Sequence, residues 1–372
     1  MPTRINRDRL IAFLMILPSI ILLFIFVYVF IGYTAWTSMT DSEIVQQLSG
    51  QTATFVGFQQ YNSLFTNILD SRFRLDLVNT VFFTVLFIAA CLGLGIALAI
   101  LLDQKVKAEG TFRTIFLFPM ALSFVVTGVV WKWLFNPTSG INAIPTFFGL
   151  PAGQFQWFVS TERILVFNWQ DLPAILAIIV LGVVVFFALR AWVKRRSVTG
   201  AILTALALLL MAWISFGGPA NLNGLAIPEY HGFNLALIAL VVAAGWQMSG
   251  YTMAMYLAGL RGISEDLREA ARVDGASEFG VYRHVVLPLL APITLSAMII
   301  LGHISLKIFD LVYVMGGGDN LYIDMPGINM FFTTFRGGDF AKGAAIAIIM
   351  LIMVAAVIVP YLVTSLRKET EL

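Results

Sequence analysis

The chain is 372 residues long, 59% hydrophobic and only 12% charged, against roughly 25% charged in soluble domains. Its apolar residues fall in long uninterrupted runs, which excludes an ordinary soluble enzyme and predicts an all-α polytopic membrane protein of about eight transmembrane helices. The net charge of +2 gives no reason to expect a nucleic-acid partner, and the one cysteine, Cys91 in an apolar run, excludes an internal disulfide.

Arg4, Arg7 and Arg9 precede the first predicted span, residues 10–32. This run is too long for a signal-peptide core and has no clear small-residue cleavage site, so it is expected to be retained. Residues 41–76 are polar and mixed, as in an outside loop. The second span covers 77–102, a short basic loop runs from Asp103 to Arg113, and the third span covers 114–135, stopped by Phe135-Asn136-Pro137. Residues 138–171 form another outside loop, rich in Gly, Pro and aromatics. Two apolar runs, 172–192 and 199–217, are hinged by Lys194-Arg195-Arg196, and spans at 234–260, 288–313 and 341–365 follow. With the N-terminus inside, the inner segments hold Arg4, Arg7, Arg9, Lys105, Lys107, Arg113, Arg190, Lys194, Arg195, Arg196, Arg261, Arg268, Arg272, Arg283, Arg367 and Lys368, most of the 23 basic residues. Both termini are then expected in the cytoplasm.

The loop at 262–287 is the longest charged island in the chain. Ser264 is a predicted N-cap, with Glu265 and Asp266 in the first turn, where the helix dipole favours negative charge. Arg272 falls in the last turn, Asp274-Gly275 supplies the stop, and Ser277-Glu278 starts a second short helix. Glu265 with Arg268, and Glu269 with Arg272, lie at i,i+3 spacing. A polar helix-turn-helix between two spans has no lipid to bury against, so it is either a solvated loop or a docking surface.

Glu269-Ala270-Ala271, Gly275 four residues on, and Val285-x-Leu287-Pro288 resemble the E-A-A-x3-G-x9-I-x-L-P signature of binding-protein-dependent ABC importer permeases, with Val285 in place of isoleucine. Asp274 before the glycine, in A-R-V-D-G-A-S, is similar to the carbohydrate branch, the maltose and glycerol-3-phosphate type. The stretch F-V-G-F-Q-Q-Y-N, from Phe55 to Asn62, also resembles the family's segment at that place. The resemblance implies a single transmembrane domain over residues 1–372: a type I permease core of six spans, with 172–192 and 199–217 an inserted pair. It implies that Glu269, Ala270, Ala271, Asp274, Gly275, Leu287 and Pro288 couple the chain to an ATPase, Glu269 meeting a basic residue there. The implied partners are a second permease subunit, two ATP-binding cassette subunits that use ATP and Mg, an extracytoplasmic substrate-binding protein, a sugar and membrane lipid. The implied location is the cytoplasmic (inner) membrane of a prokaryote.

No cofactor is expected on this chain, because no G-x-x-x-x-G-K-[ST] occurs and Gly316-Gly317-Gly318-Asp319 lacks the lysine. Three scattered histidines suggest no metal site. An intramembrane enzyme would need an H-E-x-x-H or paired carboxylates at depth, and an ion-coupled secondary transporter would leave 262–287 without a role, so a non-catalytic permease subunit is the expectation.

Polar residues inside the spans are candidates for the substrate path. In the sixth span Trp246, Gln247, Ser249, Gly250, Tyr251 and Thr252 cluster. Aromatic faces beside amides and hydroxyls suit carbohydrate, or they pack between helices. The seventh span carries His303, Ser305, Lys307 and Asp310. Lys307 and Asp310, at i,i+3, either pair to hold the helix in the bundle or line the cavity, and the resemblance places sugar contacts of the maltose type in this span. In the third span Thr127 and Trp131 have a weaker claim, and Trp131, beside Lys132 and Trp133, reads more as an interface anchor. The expected cargo is a neutral oligosaccharide such as an α-glucoside, with a polyol or glycerol phosphate as the alternative.

Overall fold

The computed structural model describes residues 3–104, 106–222, 224–318 and 320–370. Lys105 of the basic loop and Asp319 of the glycine-rich turn lie outside the described residues, as do the side chains of Arg4, Arg7, Arg367 and Lys368. In chain order the helices are α1 (Arg9–Thr37), α2 (Gln59–Thr66), α3 (Ser71–Asp103), α4 (Glu109–Leu117) and α5 (Phe124–Leu134). After strand β1 (Arg163–Asn168) come α6 (Leu172–Val193) and α7 (Ser197–Ser215), then strand β2 (Tyr230–Asn234) and α8 (Leu237–Arg261). The rest are α9 (Glu265–Val273), α10 (Glu278–Val281), α11 (Ala291–Leu306), α12 (Asp310–Gly316), α13 (Pro326–Phe331) and α14 (Phe340–Thr370). Among the described residues, 6 helices are long and apolar enough to cross a membrane, or 8 if each of two bent pairs is one span.

Both bends have local causes. The third span turns by 99° between residues 121 and 124, just after Pro119, where Ser123 caps the new helix by accepting from the Val126 N–H at 3.3 Å. The other bend, 64°, separates Glu278–Leu289 from α11, with Pro288 and Pro292 on either side of Leu290. The apolar run 288–313 is therefore not one helix. It bends at its start, and it stops at Leu306 before α12 restarts at Asp310.

The centre of the bundle is α3 packed along α8. In lipid there is no hydrophobic drive between helices, so close van der Waals approach through small residues does the work. Ala243, Ala244, Gly245 and Gly250 give α8 that profile, and most of it is buried. At Gly95 of α3 an added Cβ would collide with Thr252, whose hydroxyl donates to the Cys91 carbonyl at 2.7 Å. Two cores flank this contact. One, with Phe83, Phe87, Leu240 and Leu311, lies toward the start of α8. The other, with Ala99, Leu102, Tyr256, Leu260 and Val286, lies toward its end.

One structural element had no counterpart in the sequence reading. β1 and β2 form an antiparallel ribbon pairing Arg163 with Asn234 and Phe167 with His231, bulged between Ile164 and Phe167 around Leu165 at φ +54°. The ribbon closes the base of the α6–α7 pair, and this side of the molecule is called the ribbon end below; the opposite side, with Arg261, Arg268 and Arg272, is the basic end. The α6–α7 hairpin packs mostly on itself, with the Trp192 indole donating to Thr204 at 3.1 Å and its ring lying against Gly200. Between hairpin and α3 lies an apolar cavity of about 880 Å³, lined by residues such as Leu77, Val81, Leu176 and Trp213.

Candidate functional site

The charged island folds as its caps dictate. Ser264 accepts from the Asp266 N–H at 3.3 Å and Ser277 from the Gly280 N–H at 3.2 Å. Between α9 and α10 the chain reverses at Gly275, φ +87°, where no neighbour would meet a Cβ; the backbone conformation alone asks for glycine. The Glu269–Arg272 pair expected from spacing does not form. Arg272 instead donates to Glu265 at 3.0 Å and to Glu278 at 2.7 Å, stitching α9 to α10. Its hydrogen bonds and charge hold the Glu278 carboxyl below the usual carboxylate range against a small opposing effect of burial. Glu265 and Arg268 approach only to 3.8 Å, because Arg268 turns inward to Asp103.

That rearrangement leaves a face of α9–α10 uncovered. Glu269, Ala270 and Asp274 are exposed, and with them Leu267 at 50%, Phe279 at 72% and Val273 at 86%. Apolar side chains so exposed on an otherwise charged element mark an interaction surface. Ala271 faces the other way, half-buried against the basic-end core. Leu287 and Pro288 are exposed too, but they sit on the approach to the bend at Leu290 rather than on α9.

The membrane-depth candidates divide. Gln247 is buried and donates to the Leu122 carbonyl at 2.7 Å, which ties α8 to the break in the third span. Ser249 is buried and donates to the Trp246 carbonyl at 3.3 Å, and Ser305 is buried, accepting from Thr84 at 2.9 Å. Gln247 and Ser305 thus bond between helices, and Ser249 bonds within its own. Trp246 and Tyr251 are half-buried, and Trp246 meets Trp131 edge-to-face with centroids 5.8 Å apart. Trp131 is half-buried and packs against the ribbon-end core. His303 is half-buried with its Nδ1 unpartnered. Lys307 and Asp310 are both exposed and, among the described residues, no ion pair joins them: the helix ends between them, so i,i+3 no longer places them on one face.

A polar cluster at the ribbon end escaped the sequence reading. Arg74 is fully buried, pairs with Glu229, and donates to the carbonyls of Leu64 at 3.0 Å and Asn67 at 2.9 Å. Asn79 donates to the Asp324 carbonyl at 3.0 Å and accepts from Asn234 at 2.7 Å, while Arg72 binds the Asp324 carboxylate at 2.7 Å. The first turns of α3 thus hold α2, the ribbon and residues 321–329 together. The sequence puts Arg72, Arg74 and Asp76 in an outside loop ending at 76, whereas the helix begins at Ser71 and buries Phe73, Arg74, Leu75 and Asp76 together.

Beside this cluster His231 Nε2 lies 2.5 Å from Glu229. Burial pushes the Glu229 carboxyl up, but the hydrogen bonds and charges of Arg74 and His231 outweigh it and the net shift is downward. Burial pushes His231 down, more than Glu229 pulls it up. In both cases the folded group binds its proton less readily than the unfolded one, so the associated stability is full above the unfolded values and is lost as pH falls. Thermal melts in detergent are expected to show a decline beginning below about pH 6.5 from the histidine, with the carboxylate adding to it nearer pH 4. A His231→Gln variant should lack the upper part of that decline; an identical profile in the variant would show that His231 does not cause it.

A profile of the family described as "Binding-protein-dependent transport system inner membrane component" matches residues 198–370. A probable ABC transporter permease protein of Pyrococcus horikoshii is 34% identical, over 96% of this chain and 96% of its own. The xylose/arabinose import permease protein of Haloferax volcanii is 32% identical over 92% of this chain and 84% of its own, and the trehalose/maltose permease protein of Thermococcus litoralis 24% identical over 96% and 94%. Among solved structures, a bacterial alginate ABC transporter in complex with an alginate pentasaccharide-bound periplasmic protein shares the fold at a TM-score of 0.61, with 17% identity over 95% and 94% of the two chains.

Proposed function

Because the chain belongs to the binding-protein-dependent ABC permeases, we propose that it forms, with a second permease subunit, the alternating-access path of an ATP-driven importer whose cargo is a sugar. The observation that carries the docking half of this reading is the uncovered face of Leu267, Glu269, Ala270, Val273 and Phe279 on a helix whose opposite side is anchored. One of two ATP-binding cassette subunits would meet that face, and the two would hydrolyse ATP with Mg. This chain supplies no catalysis, and its basic end would face the cytoplasm, as the positive-inside rule requires. An extracytoplasmic binding protein would deliver the cargo at the ribbon end.

The sugar reading is supported by the cargoes named for the relatives, pentoses in one and trehalose or maltose in another. The half-buried Trp131–Trp246 pair with Tyr251 offers aromatic faces of the kind that stack on sugar rings. Within that class a neutral oligosaccharide such as an α-glucoside is our choice. Trp246, Tyr251, His303, Lys307 and Asp310 remain candidates for the path, whereas Gln247, Ser249 and Ser305 are better explained by packing.

The test is crosslinking in native membranes from Ala270→Cys in a Cys91→Ala background, with the attached protein identified by mass. A nucleotide-binding ATPase is the expected partner. No adduct, with the thiol reactive from the cytoplasmic side, would remove the docking role. The cargo is tested separately, by uptake of labelled maltose, trehalose, xylose and glycerol phosphate.

A further inference from the structure

We propose that Arg268 is the positioning residue that locks the docking element to the transmembrane core, so that a displacement of α9 moves α3 and α8 as one body. The inference rests on the reading of α9 as the ATPase-docking helix. Most side chains that fasten α9 to the bundle are small or apolar, such as Ala271 against the core of Leu260, Val281 and Val286. Contacts of that kind hold two surfaces together but let them slide. Arg268 is different. It is 8% exposed, and its guanidinium donates one N–H to Asp103, the last residue of α3, at 2.8 Å, and another to the Leu260 carbonyl, in the last turn of α8, at 2.8 Å.

A planar fork that holds two acceptors on two helices fixes both distance and rotation. Both acceptors suit it. The Leu260 carbonyl is among the last of its helix, where the dipole is negative, and beside Arg268 it accepts from the Ile263 N–H at 3.3 Å. Asp103 is 11% exposed, and Arg268 is its ion-pair partner among the described residues. The other strong pairs of α9, Arg272 with Glu265 and with Glu278, stitch α9 to α10 and the approach to α11, and reach neither α3 nor α8.

What Arg268 grips is stiff. The α3–α8 contact runs the length of both helices, and Thr252 hydrogen-bonds across it at Cys91 where Gly95 lets the backbones close. At the far end the same two elements hold residues 321–329, through Asn79 on the Asp324 carbonyl and through Asn234, just before α8, on Asn79. Packed helices shift as bodies rather than deforming continuously. A push on α9 therefore has a direct polar route to the ribbon end, through Arg268 and the α3–α8 body.

The experiment uses the whole transporter reconstituted in nanodiscs, with Leu321→Cys in a Cys91→Ser background as a reporter thiol at the ribbon end. Its labelling rate is measured with and without Mg-ATP and vanadate as the trapping probe. With Arg268 and Asp103 intact the trapped state is expected to change the rate. Asp103→Asn, of the same shape, should cut that change by about ten-fold, the scale of one charge-assisted hydrogen bond. Arg268→Lys should retain part of it, since a single ammonium replaces the two-acceptor fork. Assembly and crosslinking from Ala270→Cys, made in separate chains, should be unaffected. An undiminished vanadate response in both variants overturns the proposal. So does equal loss of assembly in both, which would make the pair a folding contact only. Absence of the Ala270→Cys crosslink with Arg268 intact would instead sink the docking reading beneath it.

Discussion

Replacing Glu269 by Arg is expected to abolish uptake while leaving insertion and assembly of the chain intact. Glu269 is exposed and has no ion pair among the described residues, because the arginine one turn on is held by Glu265 and Glu278. Reversing its charge therefore breaks no internal contact, and a surface change of this kind alters stability by no more than about 0.5 kcal/mol. Against a basic groove, however, it puts like charges together at an interface, which costs several kcal/mol and two or more orders of magnitude in affinity. Uptake, membrane abundance and melting temperature measured together separate the two effects. Uptake preserved in a fully assembled complex would show that this carboxylate does not meet the ATPase.

Arg74→Met is expected to have the largest effect on stability of any single change outside the docking helix. Arg74 is buried completely, and its removal takes the guanidinium from the Glu229 carboxylate, leaving it His231, and from the carbonyls of Leu64 and Asn67. Breaking a buried pair from one side costs about 3–5 kcal/mol, far more than the pair itself contributes over an apolar substitute. Glu229→Gln should cost less, because its amide oxygen can still accept from the guanidinium. The check is the melting temperature and detergent-extracted yield of both variants. A loss for Arg74→Met no greater than for Glu229→Gln would mean the buried charge is satisfied some other way.

How far the sequence could be read depended on whether the determining contact was local. Ser264, Gly275 and Ser277 set their turns through partners within a few residues, so the shape of α9–α10 was legible in the sequence. Arg268 was read as the i,i+3 partner of Glu265 because the alternative, Asp103, lies 165 residues away in the chain. Lys307 and Asp310 failed for a related reason. The apolar run gives no sign of a stop there, and the break is made by tertiary packing: Ile308 is 5% exposed and Gly327 of α13 sits against its carbonyl and the Phe309 ring. The α6–α7 pair was visible as two apolar runs, but the ribbon at its base was not, since residues 163–168 and 230–234 pair across the whole hairpin.

The α6–α7 hairpin also bears on how the protein can be handled. Its two helices satisfy one another, its attachment to the rest lies toward the ribbon end, and its far turn, Lys194-Arg195-Arg196, is exposed with Arg195 already in a left-handed conformation. Exposed turns of this kind accept inserted domains. A rigid fusion at that turn would project from the basic end to one side of the α3–α8 core. That makes it a natural fiducial for imaging the transporter, and an anchor for holding it on a surface while it turns over.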